Sequence, residues 1–209
     1  MADEVKKAKN IEQVAIFGSA HASSDSELAK EVFEVCKKLA SVGYIVVDGG
    51  GPGVMRAATM GAKSAGGQVM GIVLQPDEHM HYEGRDPENK FDIEIKAKNY
   101  VERTIALMRE GQVYVVFSGG TGTISEFGMA WGLAKLYFGH HKPLILYGRF
   151  WENIMNTFKE NMLITNEERE VYKIVDSPDG VLDAIMQFEK ELEKGEHEHI
   201  QTTRGDFTN

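Results

Sequence analysis

The sequence has one cysteine, five prolines and no long apolar run among its 209 residues. A single cysteine cannot form an internal disulfide or a cysteine-based zinc site. No stretch approaches the roughly 18 consecutive apolar residues that indicate a transmembrane helix. The first seven residues, MADEVKK, lack the apolar core of a secretory signal. We therefore expect a soluble, cytoplasmic protein with no membrane partner.

Basic residues are also few, because 23 Lys and Arg stand against 32 Asp and Glu, for a formal net charge of −9. Proteins that bind nucleic acid rely on Lys and Arg to displace counterions from the phosphate backbone. We therefore expect no nucleic-acid partner. A small phosphorylated ligand is compatible with this charge if a local positive site overcomes the unfavourable overall field.

The length suits one hydrophobic core, since a chain of this size buries roughly 70% of its unfolded surface. We predict one Rossmann-like nucleotide-binding domain over residues 1–195 and a polar tail over residues 196–209. Apolar runs alternate with amphipathic segments along the chain. The predicted strands cover residues 13–17, 44–48, 68–74, 91–96, 113–117, 143–147 and 172–176, and 75–90 is predicted as a long loop. The predicted helices cover residues 27–42, 54–65, 99–108 and 124–138, with two more starting at 151 and 178.

The predicted strands are rich in Val and Ile on both faces and are separated by helices. This pattern is typical of a parallel sheet that is covered by helices on both sides. We therefore predict an α/β fold with a doubly wound, mostly parallel, Rossmann-like sheet. In such folds, ligands bind beyond the carboxyl ends of the strands.

Three predicted strands end in small residues, at positions 18–19, 49–53 and 118–123. Glycine at such a turn lets a ligand approach the backbone, and the helix that follows presents its free N–H groups to a phosphate. A single glycine-rich turn could equally be no more than a tight connection. Two of them at the same edge of one sheet favour a phosphate or nucleotide site.

The common nucleotide motifs are missing from these turns. Arg56 stands where the last glycine of G-x-G-x-x-G would be, and no Gly-Lys pair of a P-loop occurs anywhere. The histidines fall in predicted loops and in the tail, so we predict no metal site and no cofactor. Cys36 lies on the apolar face of the first helix and is predicted to be a core residue.

Two of the glycine-rich segments carry longer motifs. Residues 48–55 read DGGGPGVM and residues 118–126 read SGGTGTISE. They resemble the GGGxxGxM and PGGxGTxxE signatures of the Lonely Guy (LOG) family, phosphoribohydrolases whose relatives were once labelled lysine decarboxylases. FGSA at 17–20 and an Arg-bearing helix before the second signature follow the same order, and the resemblance extends over residues 14–185.

The resemblance implies an enzyme that hydrolyses the N-glycosidic bond of a nucleoside 5′-monophosphate, either AMP or an N6-modified, cytokinin-type AMP. The products would be the free base and ribose 5-phosphate. The implied catalytic residues are Glu126 and Arg103. The implied phosphate- and nucleotide-binding residues are Gly18, Ser19, Gly49, Gly50, Gly51, Gly53, Met55, Gly119, Gly120, Thr121, Gly122 and Thr123.

A catalytic role for Glu126 can also be argued from its position in the sequence. It falls three residues after Thr123, beside any phosphate that this helix start would bind. A carboxylate there could stabilise the oxocarbenium-like ribosyl cation and position or activate water. The alternative is that Glu126 only complements the helix dipole. Arg103 is suited to hold phosphate or to assist the departing base, because a guanidinium is always charged.

Three positions depart from the family pattern, where Ser118 replaces a proline, Thr104 a lysine and His21 an arginine. These departures keep a second class open, a non-catalytic carrier of a phosphorylated ligand that is similar to molybdenum-cofactor carriers. A lysine decarboxylase finds no support, since His141-Lys142 lacks the serine that precedes the pyridoxal-lysine motif.

The predicted helices 99–108 and 124–138 are more apolar than one buried face requires. Helices of this kind are buried on more than one side. Members of the LOG family pair through similar helices, so we predict a homodimer or a higher homo-oligomer that acts on a small-molecule nucleotide.

Overall fold

The computed structural model describes residues 11–75, 84–136 and 143–193, and these ranges form one seven-stranded sheet in which all neighbouring strands are parallel. The order across the sheet is β4-β3-β2-β1-β5-β6-β7. The strands are β1 (Gln13–Phe17), β2 (Ile45–Asp48), β3 (Val69–Leu74), β4 (Ile93–Ala97), β5 (Val113–Val116), β6 (Leu144–Tyr147) and β7 (Tyr172–Val175).

Helices connect the strands and cover both faces of the sheet. They are α1 (Glu27–Ser41), α2 (Val54–Ser64), α3 (Tyr100–Glu110), α4 (Thr121–Leu136), α5 (Phe150–Asn161), α6 (Glu167–Glu170) and α7 (Pro178–Glu193). Helices α1, α2 and α7 share one apolar core with the sheet, and α3, α4 and α5 share the other. The predicted doubly wound α/β fold is confirmed.

The chain changes direction at β1, in the middle of the sheet. It first builds outward from β1 to β4, then returns to place β5 on the other side of β1. The register pairs Phe17 with Val116, so the carboxyl ends of β1 and β5 lie side by side. This topological switch point is where open α/β sheets bind their ligands.

Helix α4 starts three residues earlier than the predicted residue 124. The Ile124 N–H donates to the Gly120 carbonyl at 3.0 Å, which makes Thr121 the first helical residue. The glycines on both sides of Thr121 had pointed to a loop. The helix includes Gly122 despite the low helix propensity of glycine.

Other predictions agree with the structure within a few residues at the ends of elements. Strand β4 lies at the sheet edge as predicted, and Asn99 caps α3 by accepting the Glu102 N–H at 2.9 Å. Cys36 is buried in the core. The short α6 was not predicted. The predicted tail over 196–209 and parts of the predicted loop 75–90 and helix 124–138 lie outside the described residues.

No helix within the described ranges is long and apolar enough to cross a membrane. Within the same ranges, no group of three or more His, Cys, Asp or Glu side chains is arranged to hold a metal ion.

Candidate functional site

A cavity of about 270 Å³ lies at the switch point, beyond the ends of β1 and β5 and between the first turns of α3 and α4. This volume is close to the lower end of the roughly 300–1,000 Å³ of small-molecule sites. The cavity is lined by Ile16, Phe17, Gly18, Ser19, Ala20, His21, Gly49, Met55, Tyr100, Arg103, Leu107, Gly120, Thr121, Gly122, Thr123 and Glu126.

The first turn of α4 forms one wall of this cavity. The opening N–H groups of an α-helix have no partner within the helix, and the helix dipole adds partial positive charge there. Gly120, Thr121, Gly122 and Thr123 bring these groups to the cavity. A Cβ atom on Gly120 would meet no atom within 4 Å, so this part of the backbone is open to a ligand. The arrangement can bind an anion.

The segment that follows β1 packs tightly against the first turn of α4 and the residues just before it. The Ser19 N–H donates to the Ser118 carbonyl at 3.0 Å, and a side chain on Gly119 would collide with Thr123 and with the Ser19 nitrogen. Gly119 therefore allows the two connections to approach each other. Its own role is in packing, since it does not line the cavity.

Arg103 lies at the inner end of the cavity with only 4% of its surface exposed. Its Nε donates to the carbonyl oxygens of Gly49 and Ile72, each at 3.2 Å. Its Nη2 donates to the Gly49 carbonyl at 3.0 Å and contacts the Met55 sulfur at 3.3 Å. The side chain is therefore anchored to the residue that follows β2 and to the backbone of β3.

Gly49 is required for this anchoring. A Cβ atom at that position would occupy the place of the Arg103 guanidinium. Met55 supports the same region from α2, because its sulfur also accepts the Gly51 N–H at 3.2 Å. Gly49 and Met55 thus shape the space that the Arg103 side chain occupies.

Glu126 faces Arg103 from α4. Its Oε1 lies 3.8 Å from Arg103 Nη1, and the residue is 7% exposed. Burial raises the pKa of Glu126 to about 7, against the opposing effect of the Arg103 charge. A carboxyl group in this state can give or take a proton near neutral pH.

A second buried carboxyl group, that of Asp48, stabilises the loop that follows β2. Asp48 accepts the Gly50 N–H at 2.7 Å and the Thr59 hydroxyl at 2.8 Å. Burial raises its pKa to about 7, although these hydrogen bonds and Arg103 act in the opposite direction. From the other side, Asn89 donates its amide N–H groups to the carbonyls of Gly50 and Gly51, both at 2.9 Å.

The structure places the predicted site residues in two groups. Ten of them line the cavity together, namely Gly18, Ser19, Gly49, Met55, Arg103, Gly120, Thr121, Gly122, Thr123 and Glu126. The other four, Gly50, Gly51, Gly53 and Gly119, support the loops around it. Gly53 has a φ of 67°, and a Cβ there would collide with the Ser19 carbonyl, so it shapes the turn before α2.

Sequence reasoning missed Tyr100 and Leu107 as cavity residues, and it treated His21 only as a departure from a family pattern. Tyr100, Arg103 and Leu107 are spaced i, i+3 and i+7, which puts them on one face of a helix. That spacing was available once Arg103 was chosen. The hydrogen bond from the Tyr100 hydroxyl to the Gly122 carbonyl, at 3.3 Å, joins α3 to α4 and was not readable from the sequence.

Comparison with known proteins finds similarity to one other sequence and to solved structures. An uncharacterised protein of Archaeoglobus fulgidus is 28% identical over 137 residues, which is 65% of this chain and 84% of that protein. The X-ray structure of a structural genomics target, TM1055, is 28% identical and has a TM-score of 0.64. The match covers 85% of this chain and 99% of that one.

Two more distant structures share the fold alone. The molybdenum cofactor binding protein of Rippkaea orientalis is 22% identical with a TM-score of 0.61, over 84% of this chain and 94% of its own. DNA processing protein A of Helicobacter pylori, described in its single-stranded DNA binding mode, is 17% identical with a TM-score of 0.51. That match covers 89% of this chain and 81% of the other.

A family model covers most of the described chain. It matches residues 11–177, which include every strand of the sheet and both glycine-rich segments. The SLOG superfamily, to which the match and the structural neighbours point, also contains the LOG proteins. On this match, the chain belongs to the SLOG cluster4 family.

Proposed function

We propose that this protein is a LOG-type phosphoribohydrolase, which cleaves the N-glycosidic bond of a nucleoside 5′-monophosphate such as AMP or an N6-modified AMP. The observation that carries the proposal is the buried pair of Arg103 and Glu126, 3.8 Å apart, inside a cavity that opens at the start of α4. Buried carboxyl groups with perturbed pKa values are frequent at catalytic sites.

The cavity is lined by both polar and apolar residues, which suits a nucleotide. The amides of α4's first turn, with the hydroxyls of Thr121 and Thr123, would receive the 5′-phosphate. Met55 and Leu107 would provide apolar surface for the base. Glu126 and Arg103 would then lie beside the ribose.

The spacing along α4 supports this placement. Glu126 follows Thr121 by five residues, which is about 7.5 Å along a helix axis. The distance from the phosphorus to the anomeric carbon of a ribose 5-phosphate is shorter than this, and the tilt of helix side chains toward the N-terminus reduces the separation at the Glu126 carboxyl group. A phosphate at the helix start therefore brings the scissile bond toward the Glu126 carboxyl group.

Glu126 would act on the oxocarbenium-like transition state. Its ionised form stabilises the ribosyl cation, and the same carboxylate can accept a proton from the attacking water. Burial raises the pKa of Glu126 to about 7, so both forms are populated near neutral pH. The Arg103 guanidinium favours the ionised form by its charge.

Arg103 fits a supporting role for Glu126 better than a grip on the phosphate. Its Nε and Nη2 atoms are directed at the Gly49 and Ile72 carbonyls, and its Nη1 faces Glu126. A guanidinium that is fixed in this way gives a preorganised positive charge next to the reacting carboxyl group. The departing base would pass close to the same charge.

A small phosphorylated molecule in the cytoplasm is the substrate that we propose, rather than nucleic acid. The net charge of −9 opposes binding to a phosphate backbone. A single phosphate needs only the local field of one helix start and the side chains near it.

The test is to incubate the protein with AMP and with an N6-substituted AMP, and to separate the products by chromatography. We expect free base and ribose 5-phosphate in equal amounts. Glu126→Gln keeps the size and removes the charge, so we expect turnover to fall by roughly 100- to 10,000-fold, with nucleotide affinity largely kept.

Two outcomes would contradict the proposal in different ways. If no monophosphate yields a free base while a phosphorylated ligand still binds, the protein belongs to the carrier class. If wild-type protein and Glu126→Gln release base at the same rate, the reaction stands and Glu126 is not its catalytic residue.

A further inference from the structure

One backbone carbonyl receives two of the three side-chain nitrogens of Arg103. The Gly49 carbonyl oxygen accepts the Arg103 Nε–H at 3.2 Å and an Nη2–H at 3.0 Å. The third nitrogen, Nη1, lies 3.8 Å from the Glu126 Oε1 atom. Because a guanidinium is planar and rigid, the direction of the Gly49 carbonyl helps to set where Nη1 lies relative to Glu126.

The peptide group that bears this carbonyl joins two glycines, Gly49 and Gly50. Glycine has no Cβ atom, so its backbone can adopt conformations that are closed to other residues. Gly50 uses this freedom, with a φ of 75°. The orientation of the peptide group is therefore restricted less by its own backbone than it would be between larger residues, and contacts from outside must fix it.

Asp48 supplies such a contact on the opposite edge of the same peptide group. It accepts the Gly50 N–H at 2.7 Å. In a planar trans peptide, the N–H and the C=O point in opposite directions. The hydrogen bond to Asp48 therefore turns the Gly49 carbonyl toward Arg103.

The Asp48 carboxyl group is itself oriented from α2. The Thr59 hydroxyl donates to Asp48 Oδ2 at 2.8 Å, and the two residues are 1% and 0% exposed. Asp48 lies outside the lining of the cavity, so any effect that it has on a ligand must pass through other residues. The contacts above connect it through one peptide group to Arg103.

We propose that Asp48 is a positioning residue, which holds the Arg103 guanidinium opposite Glu126 by fixing the peptide group between Gly49 and Gly50. The inference rests on the proposed function in taking Arg103 and Glu126 as the catalytic pair. It gives the loop that follows β2 a role in the chemical step that needs no contact between Asp48 and the nucleotide.

The same loop has a second attachment, which allows Asp48 to be changed without releasing it. Asn89 donates its amide N–H groups to the carbonyls of Gly50 and Gly51, both at 2.9 Å. The Asp86 N–H also donates to the Gly50 carbonyl at 2.9 Å. We therefore expect a variant of Asp48 to keep the loop in place and to lose the fixed orientation of one peptide group.

The first experiment compares Asp48→Ala with Asp48→Asn in the release of base from AMP. We expect Asp48→Ala to lower kcat by roughly 10- to 100-fold, the effect of a small misplacement near the reacting atoms. KM should stay within about twofold, because the start of α4 is unchanged. Asp48→Asn keeps an oxygen for the Gly50 N–H and should keep most of the wild-type kcat.

A milder pair of variants tests the same contacts from α2, and it decides the matter if Asp48→Ala does not fold. Thr59→Val removes the hydroxyl and should lower kcat by about three- to tenfold, the effect of one hydrogen bond. Thr59→Ser keeps the hydroxyl and should restore kcat. Ser64→Ala removes another hydroxyl from α2, one that donates to the Gly61 carbonyl at 2.7 Å, and should leave kcat unchanged.

The second experiment needs no turnover. The Nε–H of Arg103 is buried and hydrogen-bonded, so it should exchange slowly with solvent and give a proton–nitrogen NMR signal that is lost in Arg103→Lys. We expect Asp48→Ala to speed this exchange by roughly tenfold, the effect of one weakened hydrogen bond. Asp48→Asn should leave the exchange close to the wild-type rate.

The proposal is overturned if Asp48→Ala is folded and keeps the wild-type exchange rate of the Arg103 Nε–H. It is also overturned if Asp48→Asn loses as much kcat as Asp48→Ala, because the charge of Asp48 and not its hydrogen bond would then matter. A wild-type protein that releases no base would refute the hydrolase. The exchange measurement would then decide by itself whether Asp48 positions Arg103.

Discussion

Two carboxyl side chains, Asp48 and Glu126, are almost fully removed from water in this protein. Asp48 is 0% exposed and holds the loop after β2 through Gly50 and Thr59. Glu126 lies against Arg103. Burial raises the pKa of each to about 7, from 3.8 and 4.5. In both cases burial disfavours the charged form of the carboxyl group.

These pKa values make stability depend on pH in a defined direction. Between about pH 4 and pH 7 the folded protein holds protons on Asp48 and Glu126 that the unfolded chain has released. The free energy of unfolding therefore falls as the pH rises through this window. We expect Asp48→Asn to flatten the fall and to raise stability at pH 8 by about 1–3 kcal/mol.

Urea unfolding at pH 5.5 and pH 8.0 measures this effect. Asn keeps an acceptor for the Gly50 N–H, and its amide can donate to the Thr59 oxygen, so the local hydrogen bonds can be retained. Asp183→Asn on the exposed side of α7 is the matched control and should leave the pH dependence unchanged. An Asp48→Asn protein that is as pH-dependent as its parent would show that Asp48 does not hold a proton in the fold.

Among the elements, α4 contributes several residues to the cavity. Its first turn forms one wall of the cavity, and Glu126 lies in its second turn. Phe127, Ala130 and Ala134 pack into the core on the sheet side. Ile124, Gly128, Met129 and Gly132 stay exposed on the opposite side. Nearly every face of this helix is thus apolar or functional.

A negative charge at the start of α4 should abolish anion binding. Thr121→Asp places a carboxylate where we expect phosphate, and like charges at close range repel. An acidic residue at a helix N-terminus also stabilises the helix by about 0.3–1 kcal/mol, so the unliganded protein should keep its melting temperature. We therefore expect the rise in melting temperature with AMP to disappear.

Thermal unfolding with and without saturating AMP tests this expectation. Thr157→Asp adds the same charge on the exposed side of α5 and should keep the wild-type response. A Thr121→Asp protein with an unchanged melting shift would place the phosphate elsewhere.

At the scale of the whole molecule, helices α3 and α4 present apolar side chains to solvent on the side away from the sheet. Val101, Ile105, Ile124 and Met129 are 60%, 41%, 57% and 37% exposed. A side chain on Gly128 or Gly132 would meet no atom within 4 Å, so another backbone could approach there closely. Large apolar surfaces on a folded chain are typical of association sites.

We expect this surface to form a homodimer, with each cavity close to the partner chain. Light scattering at micromolar concentration should give twice the 23.3 kDa of one chain. Met129→Asp should shift the protein to the monomer, because it would bury a charge in the interface. Met162→Asp changes an exposed methionine after α5 and should leave the dimer intact. A wild-type mass near 23 kDa would refute the dimer.

The sequence by itself determined the class of fold, and it predicted the region of the candidate site. Alternating apolar runs and amphipathic segments predicted the parallel sheet, and β1 was predicted over the residues where the structure has it. These features are local, since periodicity and glycine at strand ends can be read in short windows. Arg103 and Glu126 were chosen from their motifs, and both line the cavity.

Only the tertiary structure decided what each of these residues contacts. Arg103 donates to the carbonyl of Gly49, 54 positions away in the chain. It also faces Glu126, and the motif shows neither contact. Burial, which raises the pKa of Asp48 and Glu126, is likewise a property of the packed molecule. His21 and Tyr100 line the same cavity because the topology places β1 and β5 side by side. Contacts between such distant segments leave no local signal in the sequence.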